Sequence, residues 1–149
     1  MSKKSFVRLT KILLDFMFYT GIVVCVTVPL SFQYVGRYLS FVKEFYISFC
    51  VIYMLAGIFA ILILWELRNM FQSVIQENPF IIRNVKSLQR MGIYAFAISV
   101  LMIIREIFIV TPAGLVLVAV FLIAGLFSMV LSQVFDQAVT YKLENDLTI

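Results

Sequence analysis

One carboxylate in the sequence lies where it could carry a proton or a cation. Asp15 lies about one helical turn into a long apolar run, four residues after Lys11. Ionisable groups inside membrane spans are costly and often functional, so Asp15 is a candidate coupling carboxylate of a small transporter. The same spacing predicts an ion pair between Lys11 and Asp15 at the membrane surface. The position of Asp15 close to the end of the run favours the ion pair.

A second pair of charges, Arg105 and Glu106, lies near the end of a later apolar run. Adjacent residues on a helix point about 100° apart, so the two need not neutralise each other. We expect Arg105 to reach the membrane surface or to pair with Glu44 or Glu106. A ligand site at this level is the alternative.

The residue types of most catalytic sites are missing or scattered. The sequence has no histidine, and its two cysteines, Cys25 and Cys50, form no Cys-x-x-Cys motif. This disfavours His-dependent metal sites, Ser-His or Cys-His catalysis and thiol exchange. No phosphate-binding glycine loop and no basic–aromatic patch for nucleic acid is present. We therefore predict a protein that is not an enzyme, takes no cofactor and does not bind nucleic acid directly. Packing is the favoured role of both cysteines, with a disulfide as the alternative.

The elements that must position these residues are membrane helices. Of the 149 residues, 63% are hydrophobic and 13% charged, whereas soluble domains are about half apolar and about a quarter charged. Four runs are long enough to cross a bilayer, at about residues 12–34, 45–67, 91–110 and 113–135. Inside lipid the backbone must bond to itself, which favours helices. The prediction is one all-α membrane domain over residues 1–149, an integral membrane four-helix bundle.

The distribution of Lys and Arg predicts the orientation of this bundle. Nine of the twelve basic residues lie in the N-terminal segment, the connection between the second and third runs, and the tail. The opposite side contains the other three, Arg37, Lys43 and Arg105. Because cytoplasmic segments are enriched in Lys and Arg, both termini are predicted to be cytoplasmic.

Small residues in the fourth run predict a close helix contact. Ala124, Ser128 and Ser132 recur at four-residue spacing, which is typical of packed membrane helices. They can serve packing within one bundle or a homodimer interface.

The connection "QENPFIIRNVKSLQRMGIY" is the least apolar part of the interior sequence. Asn78 and Pro79 are typical of a helix start, as N-cap and first helical residue. An amphipathic cytoplasmic helix is predicted over about residues 79–90, continuing into the third span. Its basic face fits anionic lipid headgroups. The polar residues expected on that face are Arg83, Asn84, Lys86, Ser87 and Arg90.

The cytoplasmic tail, residues 136–149, is expected to stay helical to about Leu143 before the segment "ENDLTI". Glu144 and Asp146 can pair with the basic residues of the amphipathic helix and clamp the tail on it. Alternatively, Leu147, Ile149 and the terminal carboxylate dock on a partner, or the tail is a frayed end.

Two motifs, "NPFIIRNVKSLQRMG" and "VFDQAVTYKLENDLTI", resemble a family of small bacterial four-span membrane proteins, domain-of-unknown-function family 2975. The shared pattern is a Pro-Phe start, an Asn-Val-x-x-Leu run and a closing Glu-x-Asp-Leu-Thr-Val/Ile box. The matching residues are Pro79, Phe80, Asn84, Val85, Leu88, Glu144, Asp146, Leu147, Thr148 and Ile149. The resemblance implies a bacterial cytoplasmic membrane and no known reaction. It also implies a partner encoded by an adjacent gene, because many members resemble partners of a small helix-turn-helix regulator whose gene lies beside theirs.

The sequence therefore predicts a non-enzymatic regulatory or protective membrane protein that acts through its basic helix and acidic tail. The expected partners are anionic lipid headgroups and a cytosolic regulator. The alternative is a small transporter, or an immunity-type protein against a membrane-active peptide.

Overall fold

The protein is all-α. A computed structural model describes the backbone of residues 3–148 and the side chains of residues 3–147. It contains four long helices and one short one: α1 (Lys3–Gly36), α2 (Ser40–Glu44), α3 (Tyr46–Ile75), α4 (Ile82–Phe108) and α5 (Pro112–Thr148). The four long helices are each long and apolar enough to cross a membrane. This confirms the prediction of a four-helix membrane bundle.

The outer surface of the bundle is apolar, as expected of a surface that faces lipid rather than water. Large apolar side chains such as Phe16, Val26, Ile107 and Phe127 lie on the outside, each more than 60% exposed. A soluble monomer rarely exposes continuous apolar surface of this kind. The residues between the helices are fewer and include many small or polar ones, as expected where packing rather than the hydrophobic effect joins helices.

Each long helix packs antiparallel on the next one in the chain. α1 packs on α3, α3 on α4, and α4 on α5, whereas no Cα pair within 8 Å joins α1 to α5 in the described part of the chain. The central packing cluster contains Ile52, Ala56, Ile98 and Met102. The bundle is therefore a curved row of four helices, with α1 and α5 at its edges.

The contact between α4 and α5 is close because small residues line it. A Cβ atom at Gly92 would lie 3.2 Å from the backbone oxygen of Gly125. The Ser128 hydroxyl donates to the Leu88 carbonyl oxygen at 2.6 Å, and Ser128 and Ser132 are buried. Ser128 thus packs within the chain's own bundle, which is one of the two alternatives for the stripe of Ala124, Ser128 and Ser132. Ala124 is exposed, and the homodimer interface stays a prediction.

The helices extend further than the apolar runs. α1 passes straight through Pro29 to Gly36, although proline removes one backbone donor. The Tyr46 hydroxyl donates to the Pro29 carbonyl oxygen at 2.9 Å. The short helix α2, which the apolar pattern did not predict, lies between α1 and α3.

The turn between α3 and α4 differs from the predicted helix start. The Glu77 amide donates to the Val74 carbonyl and the Asn78 amide to the Ser73 carbonyl, which is the Schellman arrangement that ends a helix. Asn78 thus ends α3 and cannot cap α4. α4 begins at Ile82, after the extended residue Ile81, which provides no side-chain cap.

Glu77 occupies the position of this motif that normally favours glycine. Its φ of 60° is in the left-handed region, where a side chain is strained. Its ion pair with Lys4, at 3.9 Å between two exposed side chains, contributes little. We expect Glu77→Gly to raise the free energy of unfolding in detergent by about 1 kcal/mol. Gln76→Gly is the matched control: Gln76 has φ −76° and should gain nothing. Equal effects at both positions would contradict the strain argument.

Candidate functional site

The two family motifs meet at the end of the bundle that contains the α3–α4 turn. The rings of Phe80 in the turn and Phe135 in α5 lie 5.3 Å apart between centroids. One and two turns further along α5, Val139 is buried and the Lys142 ammonium donates to the Asn78 side-chain oxygen. The turn is therefore held against the extension of α5, and this end of the molecule forms one continuous surface.

Asn84 lies at the centre of this end and is only 1% exposed. Its side-chain amide donates to the Ser73 hydroxyl at 2.7 Å and to the Pro79 carbonyl oxygen at 2.6 Å. Ser73 in turn donates to the Met70 carbonyl oxygen. The prediction that Asn84 and Ser87 belong to the basic exposed face is wrong, because both are buried where α4 packs. Asn84 is a structural residue that closes the turn.

Two ion pairs join three helices on the same side of the bundle. The Arg90 guanidinium contacts Glu66 of α3 through two nitrogens, at 2.8 and 3.2 Å, and Glu66 is buried. Arg68 of α3 contacts Asp15 of α1 at 2.6 Å. The predicted pair of Lys11 with Asp15 is present at 4.0 Å but is the weaker contact. These bidentate and short contacts fix the helices in register.

Aromatic rings enclose Arg68. Its guanidinium carbon lies 4.7 Å from the Phe18 ring centroid and 5.7 Å from that of Trp65. A cation held by a carboxylate and by rings is kept in place from several sides. Asp15 therefore contacts Arg68 as well as Lys11.

The tail does not form the predicted clamp. α5 remains helical to Thr148, and Glu144 and Asp146 are exposed. Within residues 3–147, no ion pair joins either of them to Arg83, Lys86 or Arg90. One physical reason is that Arg90 already pairs with Glu66. The other is that α5 stays helical to Thr148 instead of turning back towards α4. The described part of the tail is helical, and Leu147 is 86% exposed. Ile149 and the Thr148 side chain, which belong to the predicted docking segment, lie outside the described residues.

A separate polar cluster lies at the opposite end, around the α4–α5 turn. Arg105 contacts its neighbour Glu106, as one of the predicted alternatives has it, and also donates to the Thr111 hydroxyl at 2.6 Å. The Thr111 amide donates to Glu106 at 2.8 Å. The Thr111 hydroxyl accepts from the Gly114 amide at 3.1 Å, so Thr111 caps α5 and Pro112 is its first residue. The cluster thus closes the turn, although the Arg105 Nε atom is buried and has no hydrogen-bond partner among the described residues.

Several residues of these contacts were not found from the sequence. Glu66 and Arg68 lie at the end of an apolar run, where charges usually face the membrane surface. Only the fold shows which helix each of them contacts. Lys142 and Thr111 gave no separate signal, although a Thr-Pro pair before an apolar run is typical of a helix start.

The described residues offer no group of three or more metal-ligating side chains, and both cysteines are free thiols. The Cys25 sulfur packs against α3, 3.7 Å from the Met54 carbonyl oxygen.

The comparison with known families supports the resemblance seen in the two motifs. The sequence model of the family described as "Protein of unknown function (DUF2975)" matches residues 23–149. Comparison with curated proteins and with solved structures gives no match. The matched region covers most of the chain, including α3, α4, the turn between them and the whole of α5. The chain therefore belongs to the DUF2975 family of multi-pass membrane proteins.

Proposed function

We propose that this protein is a non-enzymatic regulatory protein of the bacterial cytoplasmic membrane, which holds a cytosolic regulator against the end of α5. The distribution of Lys and Arg supports an orientation with both termini in the cytoplasm. The observation that supports the binding role is an apolar stripe on the last turns of α5, which is exposed at Leu143 and Leu147.

The length of α5 supports a helix that projects beyond the membrane. Its 37 residues correspond to about 55 Å at the usual rise per residue. A bilayer core is about 30 Å thick. The extension after Asp136 contains most of the polar residues of α5, which fits the aqueous side of the interface.

The stripe contains Val139, Leu143 and Leu147, which recur at four-residue spacing along one side of the helix. Val139 is buried in the bundle, whereas Leu143 is 59% and Leu147 86% exposed. The side of α5 that packs on the bundle thus continues past its last contact. Apolar residues at this spacing are what a groove in a partner protein recognises.

The charges beside the stripe indicate the chemistry of the partner. Glu144 and Asp146 flank Leu143 and Leu147 and are exposed. A helix-turn-helix regulator, as the resemblance implies, presents a basic surface to DNA. An acidic helix with an apolar stripe would occupy such a surface and keep the regulator from its operator.

The test is binding of the purified neighbouring regulator to the full-length protein in detergent. We expect Leu143→Ser with Leu147→Ser to weaken binding about tenfold or more, since both would be buried anchors. Tyr141→Ser is the matched control: Tyr141 is 72% exposed on the same extension but points roughly 160° away from Leu143. Equal affinity of the double variant and the wild type would refute the proposed surface.

The transporter alternative has less support. Asp15, its candidate carboxylate, contacts Arg68. The cavity at the middle of the bundle is lined mainly by apolar residues, including Cys25, Ala60, Met102 and Phe121. A coupled transporter of ions or protons needs polar groups along its path.

A further inference from the structure

A basic cavity of about 600 Å³ lies at the end of the bundle opposite the α3–α4 turn. It is formed where α1 ends, where α2 crosses and where α3 begins. Its walls contain two cationic side chains, Arg37 and Lys43, and the polar or aromatic residues Gln33, Tyr38, Ser40 and Tyr46.

The two cations of this cavity lie beyond ion-pair distance of every carboxylate in the described part of the chain. Within the described residues, no ion pair joins Arg37 or Lys43 to an acidic group, although five ion pairs are found elsewhere. The nearest acidic residue in sequence, Glu44, does not line the cavity. Two unpaired cations facing one cavity favour an anion there.

An apolar cavity of about 390 Å³ lies next to the basic one, on the membrane side of it. It occupies the space between the edge helices α1 and α5, and its walls include Gly21, Gly57 and Ala60. Phe32 belongs to the walls of both cavities, and its ring lies 5.2 Å from that of Tyr53 in the apolar one. A basic cavity thus adjoins an apolar groove.

We propose that the two cavities together bind one anionic phospholipid, with its phosphate at Arg37 and Lys43 and an acyl chain in the groove between α1 and α5. A free phosphate compound would use only the basic cavity and leave the adjoining groove unexplained. A zwitterionic lipid would bring its own cation to a site that already has two. In the orientation proposed above, the lipid belongs to the outer leaflet.

The lipid site is independent of the proposed partner of α5, because it lies at the other end of the bundle. The experiment is a titration of the full-length protein in detergent with phosphatidylglycerol and with phosphatidylcholine of the same chains, read by native mass spectrometry. We expect phosphatidylglycerol to bind at least about tenfold more tightly, and Arg37→Gln with Lys43→Gln to abolish this preference. Lys3→Gln with Lys4→Gln removes the same charge at the opposite end and should leave the preference unchanged.

Two further measurements distinguish a bound phospholipid from a free phosphate compound. Glycerol phosphate, which lacks chains, should bind far more weakly than the lipid. Ala60→Phe, which fills the groove, should weaken binding of the long-chain lipid but not of its dihexanoyl analogue. The proposal is overturned if the double variant keeps the preference, if both lipids bind equally, or if glycerol phosphate binds as tightly as the lipid. Where the double variant yields little folded protein, the two single substitutions replace it, each expected to lower the preference.

Discussion

Gly114→Ala should lower the free energy of unfolding by about 1–3 kcal/mol, because the added methyl group overpacks the α4–α5 turn. The Cβ atom of that alanine would overlap a carboxylate oxygen of Glu106 and crowd the Arg105 guanidinium. Glu106 cannot move aside freely, since it accepts hydrogen bonds from Arg105 and from the Thr111 amide. The measurement is denaturant unfolding of the purified protein in detergent, compared with the wild type.

A matched glycine provides the control. A Cβ atom at Gly21 meets its nearest side-chain atoms at 3.7 and 3.9 Å, which is ordinary contact. Gly21→Ala in the middle of α1 should therefore be neutral or slightly stabilising. In a Glu106→Ala background the closest clash partner is absent and only the flexible Arg105 side chain remains near the Cβ atom, so Gly114→Ala should cost less there. An unchanged cost in that background would show that the carboxylate is not the cause.

This cluster also indicates what the pair Arg105–Glu106 does. The sequence suggested either an interfacial pair or a ligand site, because two adjacent charges near the end of an apolar run fit both. In the structure the two charges contact each other, and both contact Thr111, the cap of α5. Their most direct role is to join α4 to α5 across a three-residue turn, which leaves the basic cavity near Arg37 as the better candidate for a ligand.

The number of spans and the family were predictable from the sequence because both depend on local signals. A run of about 20 apolar residues has few alternatives to a spanning helix. The order of helices in the bundle is a different matter. It depends on pairs such as Asp15 with Arg68 and Glu66 with Arg90, which are distant in the chain. Each of these residues by itself looks like an ordinary charge at a membrane surface.

The α3–α4 turn shows a second limit, which concerns polar residues. An amphipathic pattern assigns every Asn and Ser to the exposed face, because polar groups usually prefer water. Asn84 and Ser73 are buried because a tight turn leaves carbonyl groups that need donors. Only the path of the backbone shows which carbonyl groups are left without a partner. Asn78 and Pro79, typical of a helix start, were misassigned for the same reason: Asn78 completes the end of α3.

Asn84→Ala should lower the free energy of unfolding by about 3 kcal/mol, the largest effect we expect at the α3–α4 turn. The substitution removes the donor to the Pro79 carbonyl and to the Ser73 hydroxyl, and it leaves a void at a position that is 1% exposed. Gln89→Ala, at an exposed position of the same helix, should change stability by less than about 0.5 kcal/mol. Unfolding in detergent measures both.

Asn84→Asp distinguishes the loss of hydrogen bonds from the loss of packing, because it keeps the shape of the side chain. The carboxylate has no hydrogen to donate and would face the Pro79 carbonyl oxygen. The side-chain oxygen of Asn84 already has no donor among the described residues, so a carboxylate at this position would be uncompensated. We therefore expect Asn84→Asp to destabilise at least as much as Asn84→Ala. Since the turn holds Phe80 and Asn78 against α5, both variants should also make the α5 extension more sensitive to proteolysis. Wild-type stability of Asn84→Asp would mean that shape alone, and not the two hydrogen bonds, fixes this end of the bundle.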